Sequence, residues 1–366
     1  MKRFVFTFVS LLSAAIAVIG QNHSVNSTAS KKSRIVCKSI APNRGLSEKQ
    51  RACVTSALVW LRKNQNTDGS WGDKHQGALT GLALLSFLEN GAKPDSKAYG
   101  YAIAKSVEWI TENGAKFDGH LNMAKQFTAP AAYEHGIATY ALCEYYAITK
   151  DEQVLPVLRQ AVGHIVTGQN EHGGWRYTYD KAPGDLSVTG WQIQALKAAY
   201  LTKLDVPGVE AALDKAVKFV TSLKGEHGGY GYTTPGDHYG LTGIGILCSL
   251  LWKGERASEL KGIRWLLDET AQKRPVTYNG ETADLYAWYF HTQACLLFGG
   301  VAWQKWNLWF QDEIIGAQSP DGSWPVPGSK GFGPQGDPGK TGQVYRTALC
   351  TLMLENIYRY LPTPRQ

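Results

Sequence analysis

The chain has 366 residues and a formal net charge of +7, from 38 Lys and Arg against 31 Asp and Glu. All of that excess lies in residues 1–50, which hold the cations Lys2, Arg3, Lys31, Lys32, Arg34, Lys38, Arg44 and Lys49 and the single anion Glu48, so the rest of the chain is neutral. With 43% hydrophobic and 11% aromatic residues the body is ordinary globular material, which excludes a disordered chain, a collagen and a disulfide-dense miniprotein, and a neutral body lacks the clustered cationic face that nucleic-acid binding requires.

In chain order, Lys2-Arg3 is followed by the apolar run Phe4 to Gly20, interrupted by Thr7, Ser10 and Ser13 and ending in small residues at Ala15, Ala17 and Gly20. That run is at or below the ~17–25 residues a spanning helix needs, and its flanks are those of a secretory signal peptide. The expectation is a signal peptide over 1–20 and an exported protein, periplasmic or extracellular. Residues 21–45, rich in Ser, Asn and Lys, read as a solvated basic tail, through which the protein would touch an anionic envelope surface in a salt-sensitive way.

From residue 46 onward the signal is repetition. Gln65 to Trp71, Gln169 to Trp175 and Gln318 to Trp324 share Gln-x3-Gly-x-Trp, and Lys224 to Tyr230 is a fourth, altered copy. Their spacing is one or two multiples of about 50 residues, so two weakened copies belong in the gaps. An independent marker agrees: Ala83-Leu84-Leu85, Ala141-Leu142-Cys143, Ala195-Leu196-Lys197, Ile246-Leu247-Cys248, Gln293-Ala294-Cys295 and Ala348-Leu349-Cys350 recur in six registers. Each unit has a helical stretch before the turn, such as Gln50 to Lys63 or Val209 to Leu223, with charges on one face. Each also has one after it, such as Leu186 to Leu201 or Leu285 to Phe298, that is apolar nearly all round. A helix apolar all round is buried and one with an apolar stripe covers it. The predicted fold is therefore all-α, an (α/α)6 toroid over residues 46–362 with six inner and six outer helices.

The segment Trp60-Leu61-x3-Gln65-x3-Gly69-x-Trp71 resembles the repeat motif, often called the QW motif, of squalene-hopene and oxidosqualene cyclases, and Ile165 to Trp175 and Ile314 to Trp324 resemble its later part. The body is thus similar to one toroid of the terpenoid cyclase and protein prenyltransferase superfamily. Asp284 to Phe290, Gly342 to Leu349 and Tyr358 to Pro362 further resemble secreted bacterial squalene cyclase-like repeat proteins. The resemblance implies a structural role for Gln65, Trp71, Gln169, Trp175, Gln318 and Trp324, tying outer helices to turns. Physically, a Gln amide satisfies orphan backbone groups at a helix end while an indole stacks over it.

Acids precede several inner helices: Asp185, Asp237, Asp284 and Asp337, with Glu134-His135 and His75 in the corresponding parts of the first two units. Helices in register would gather them at one mouth of the ring. Capping of helix amides accounts for Asp185, Asp237 and Asp284 without any substrate. As chemistry, Asp185, Asp237, Asp284, Glu134 and His135 are the candidate acids and bases, and Trp191, His238, Tyr239, Tyr286, Trp288 and Tyr345 the candidate ligand-binding side chains.

The Asp-x-Asp-Asp acid motif that the cyclase resemblance would imply is missing; Asp185-Leu186-Ser187-Val188-Thr189 is the nearest text. Asp284 and His291 lack a neighbouring Cys for a prenyltransferase-like zinc site, the Gly-Cys-Gly-Glu-Gln of a thioester toroid is absent, and Gly336 to Thr341 has Pro334 where a phosphate loop needs Gly. No cofactor or metal is expected. Of the six cysteines, Cys143, Cys248, Cys295 and Cys350 share one inner-helix position and read as small buried hydrophobes, while Cys37 and Cys53 are a candidate disulfide. Lys197 occupies the same register without an evident reason. Three readings stay open: an enzyme or relative acting on an apolar isoprenoid-like ligand in an aromatic cavity, a non-catalytic binding or envelope scaffold, and a glycan-active α/α-barrel using two carboxylates.

Overall fold

The structure, a computed structural model, describes residues 46–123 and 131–355. The expected signal peptide, the basic tail and Tyr358 to Pro362 lie outside the described residues.

Helices α2 (Gln76–Glu89), α4 (Ala131–Thr149), α6 (Leu186–Leu201), α8 (Tyr239–Leu251), α10 (Leu285–Phe298) and α12 (Lys340–Glu355) each pack on the next, and α12 returns to α2, which closes an inner ring. Helices α1 (Glu48–Lys63), α3 (Gly100–Lys116), α5 (Leu155–Gly168), α7 (Val209–Ser222), α9 (Arg256–Gln272) and α11 (Gly300–Gly316) jacket it. The fold is the predicted (α/α)6 toroid, and the two layers differ as their sequences require. In α6 every residue from Leu186 to Ala199 is buried, whereas α7 buries only the stripe Val209, Ala212, Leu213, Ala216, Phe219 and Val220.

The turns lock the layers together. Gln65 Nε2 donates to Gly69 O (2.9 Å) within its own turn and to Ala102 O (2.9 Å) on the next outer helix. Gln169 does the same with Gly173 O and Ala212 O, and Gln318 with Gly322 O and Cys53 O, the last bond running from the end of α11 to α1 and sealing the outer ring. The indoles do more than stack. Trp71, Trp175 and Trp324 donate through Nε1 to Leu61, Ile165 and Ile314 O at 2.7 to 2.8 Å, so they satisfy orphan carbonyls at outer-helix ends. The glycines between are required: Gly69 and Gly173 have φ of +97° and +99°, and a Cβ on either would lie 2.3 Å from Lys105 O or Lys215 O.

Cys143, Cys248, Cys295 and Cys350 are free, buried thiols. Cys53 is also free and buried within α1; its expected partner Cys37 lies outside the described residues. Lys197 runs along the margin of the core so that Nζ lies over the rings of Trp252 (5.0 Å) and Tyr200 (5.9 Å), and burial draws its pKa down.

Candidate functional site at the inner-helix mouth

Every inner helix begins at the same end of the ring, and each turn's tail covers the start of a neighbouring inner helix. Ala132 N donates to Tyr177 O and Leu186 N to Tyr232 O, both at 2.9 Å, while Leu285 N donates to Gln335 Oε1 (2.8 Å). These bonds satisfy helix-start amides and set Tyr177 and Tyr232 on the rim.

Asp185 caps α6. Its Oδ1 accepts from Val188 N (2.8 Å) and Ser187 Oγ (2.8 Å), while Oδ2 is buried with no partner among the described residues. Burial raises its pKa against the opposing pull of those bonds and of Arg176. Around this carboxyl stand four phenols. Tyr133 bonds Ser187 Oγ (2.5 Å), Tyr286 donates to Ser187 O (3.3 Å), and Tyr177 and Tyr232 bond each other. Burial holds Tyr133, Tyr286 and Tyr232 protonated, their pKa pushed up. Below them Trp191 stacks on Tyr289 at 5.5 Å and meets Phe290 edge-on at 5.3 Å, so the ring centre beneath the rim is aromatic.

Above, Phe332 reaches in from the glycine-rich segment 328–339. It packs on Tyr286 (4.7 Å) and Tyr133 (6.1 Å) and stays 42% exposed. Buried Arg346 holds the base of that segment, donating to Gln335 O and Asp337 O. Tyr345 donates to Phe332 O at 3.5 Å. Asp284 caps α10 through Ala287 N (3.0 Å), and burial raises its pKa too, opposed by amides that include Phe332 N.

The structure therefore brings Asp185, Asp284, Tyr286 and Tyr345 to one rim, with Trp191 beneath it. It disposes otherwise of the remaining candidates. Asp237 is not a helix cap: α8 starts on His238, and Asp237 braces the preceding turn, accepting from His227 N, His227 Nδ1 and Gly229 N. Burial pushes its pKa up, but those bonds win and bring it below the usual range. Glu134 is tied to His75 Nδ1 (3.0 Å) and to Gly77 N at the start of α2, and raises the His75 pKa. His135 is fully buried, with Leu121 N donating to Nδ1 and Nε2 facing Ala161 O; burial draws its pKa down to about 3, so it is a neutral core histidine. Tyr239 turns toward the outer layer, bonding Thr270 Oγ1, and Trp288 is fully buried. His238 is exposed.

Sequence reasoning missed Tyr133, Tyr177, Ser187, Tyr232, Phe290 and Phe332. A signal existed for two of them: Trp175-x-Tyr177 and Tyr230-x-Tyr232 place a tyrosine at one offset from the turn aromatic. Among the described residues no group of three His, Cys, Asp or Glu is placed to hold a metal.

The family model described as a domain of unknown function, DUF6288, matches residues 52–244, just over half of the chain. The chain belongs to the DUF6288 family. No curated protein matches this DUF6288 chain in sequence. Solved structures share its fold at low identity. An inactive variant of an α-1,6-mannanase of Salegentibacter sp. HEL1_6, in complex with α-1,6-mannotriose, is 11% identical with a TM-score of 0.62 over 85% of this chain and 100% of that one. A variant of the type II terpene cyclase MstE from Scytonema, in complex with geranylgeranyl dihydroxybenzoate, is 14% identical with a TM-score of 0.57 over 84% and 97%. The cellobiose 2-epimerase of Spirochaeta thermophila DSM 6192 is 14% identical with a TM-score of 0.58 over 84% and 98%. What this DUF6288 chain shares with all three is the α/α toroid.

Proposed function

We propose that this DUF6288 toroid binds an apolar, isoprenoid-class ligand at the inner-helix mouth, with Asp185 as its acid. The observation that carries the reading is the Asp185 carboxyl. One oxygen is fixed by a helix amide and Ser187, the other is buried and unpartnered among the described residues, and burial favours the protonated form beside an aromatic wall. An acid whose protonated form is favoured by burial, next to π faces, suits proton transfer to an alkene and shelter of the resulting cation. It suits glycoside hydrolysis less, which needs a second working carboxylate: Glu134 and Asp237 are engaged by histidines and backbone amides, and Asp284 on the same rim is taken up by capping α10 and by further amides. We also propose that the chain is exported, on the strength of Lys2-Arg3 and the apolar run after it; cell fractionation of the full chain tests this.

The test of the ligand reading is incubation with squalene and shorter polyprenyl compounds, scored by mass spectrometry. Product formation is expected to fall at least ~100-fold in Asp185→Asn, as for loss of a general acid, and in the wild type to decline as pH rises through the raised Asp185 pKa. The absence of both turnover and binding with every isoprenoid tried would sink the reading. A glycan-active reading keeps one specific support, the likeness to a mannanase and an epimerase together with the half-exposed Tyr133, Tyr177 and Tyr232 on which a sugar ring would stack. Cleavage or binding of α-1,6-manno-oligosaccharides would favour it, and inertness toward both classes leaves a binding or envelope scaffold.

A further inference from the structure

The chain has 12 tryptophans, and among those described the ones not buried are Trp265, Trp303 and Trp309, all on the neighbouring outer helices α9 and α11. The same two helices carry the exposed apolar side chains Leu260 (40%), Val301 (64%) and Leu308 (77%). Two stripes at helical spacing result: Arg256, Leu260, Arg264 on α9, and Val301, Lys305, Leu308 on α11, with a cation beside each apolar residue. The stripes end on the acids Asp268 and Asp312 toward the helix C-termini. Arg256 lies over Phe298 (5.1 Å), the last residue of α10, and beside Gly299, from which α11 starts, so the two helix beginnings adjoin. Both start at the end of the ring opposite the mouth, because outer helices run counter to inner ones.

We propose that this α9–α11 face docks on the surface of an anionic phospholipid bilayer. Exposed leucine and valine gain by entering the acyl boundary, arginine and lysine alongside reach lipid phosphates, and the partly exposed indole of Trp309, next to Leu308, is at home at the level of the headgroups. A lipid surface is favoured over a protein partner by the charge of the sequence that leads into α1: residues 21–50 carry six cations and one anion, and α1 packs against α11. Each signal alone is weak and the two together anchor. Among the described residues no helix is long and apolar enough to cross a membrane, so the contact is peripheral. The inference stands whether or not the mouth binds an isoprenoid.

The experiment is sedimentation of the full chain with vesicles of phosphatidylcholine, with and without phosphatidylglycerol, read together with tryptophan emission. The apolar run Phe4 to Gly20 is common to all variants and cancels in their comparison. Binding with a blue shift is expected on the anionic vesicles. The double variant Val301→Glu with Leu308→Glu, both exposed and therefore compatible with folding as checked by circular dichroism, is expected to weaken partition at least ~10-fold, the scale of withdrawing two apolar side chains from lipid. Deleting residues 21–45 is expected to remove the salt-sensitive part of binding and leave the blue shift. Partition unchanged in the double variant but abolished by the deletion would overturn the proposal in favour of the tail alone. A concentration-dependent dimer, seen by light scattering and lost in the double variant without vesicle binding, would overturn it in favour of a second copy.

Discussion

Two kinds of turn hold the toroid together. At 65–71, 169–175 and 318–324 the donors are neutral, a Gln amide and an indole, and every acceptor is a backbone carbonyl. At 224–230 the same positions hold Lys224 and Tyr230, and the acceptor is largely a side chain. Glu259 of α9, 1% exposed, receives Lys224 Nζ (3.0 Å), Tyr230 Oη (2.9 Å) and Ser249 Oγ (2.8 Å), while Lys224 also reaches Ser258 O. Two chemistries serve one place because the fold demands only that buried donors between adjacent outer helices be satisfied. They differ in how failure spreads: a backbone acceptor cannot be mutated away, whereas one carboxylate carries several donors at once.

The largest expected effect follows from that difference. Glu259→Ala strands a half-buried ammonium and two hydroxyls, and is expected to destabilise by about 3 kcal/mol in urea unfolding. A loss under ~1 kcal/mol would mean that the ionic turn contributes little and that the comparison fails. Next comes Trp71→Phe, which removes the bond to Leu61 O and part of a fully buried ring, with an expected loss of about 2 kcal/mol. Matching losses in Trp175→Phe and Trp324→Phe would show the neutral turns to be equivalent.

The smallest effect contrasts Glu259, which has Lys224, with Asp185, which is buried without a cation bonded to it. Because burial raises the folded-state Asp185 pKa above its unfolded value, the folded protein binds the extra proton more tightly. Stability from this group is therefore full at low pH and falls as pH rises from the usual carboxylate range through the raised value. Asp185→Asn keeps an oxygen for Val188 N and Ser187 Oγ, so its melting temperature is expected to exceed that of the wild type near pH 7 and to converge with it toward pH 4. A gain that does not depend on pH would assign the effect to packing instead.

The helices were legible residue by residue because periodicity is local. The stretches Leu186 to Leu201 and Leu285 to Phe298 are the inner helices α6 and α10 with those bounds, and Val209 to Leu223 ends within one residue of α7. The weakened copies could be counted but not described: Tyr278, whose hydroxyl bonds Pro325 O, fills the aromatic place of one, with Gln272 at the motif's spacing but Val276 where the Gly belongs. The candidate site was half legible. Capping by Asp185 and Asp284 follows from an acid before an apolar helix, and the shared rim follows from the register. His135 was misjudged because a histidine's burial and its two backbone partners, Leu121 and Ala161, come from other elements.

The sequence by itself determined the number of units, the layer to which each helix belongs and the turns that join them, since these depend on residues within one repeat. Only the tertiary structure decided which side chains meet. Closing six units into a ring brings Tyr133 of α4, Ser187 of α6, Tyr286 of α10 and Phe332 of the 328–339 segment around one carboxyl. The same closure leaves Trp265, Trp303 and Trp309 partly exposed on its outside. Those meetings join residues far apart in the chain, and their energies are set by burial and distance across the ring, which no local pattern encodes.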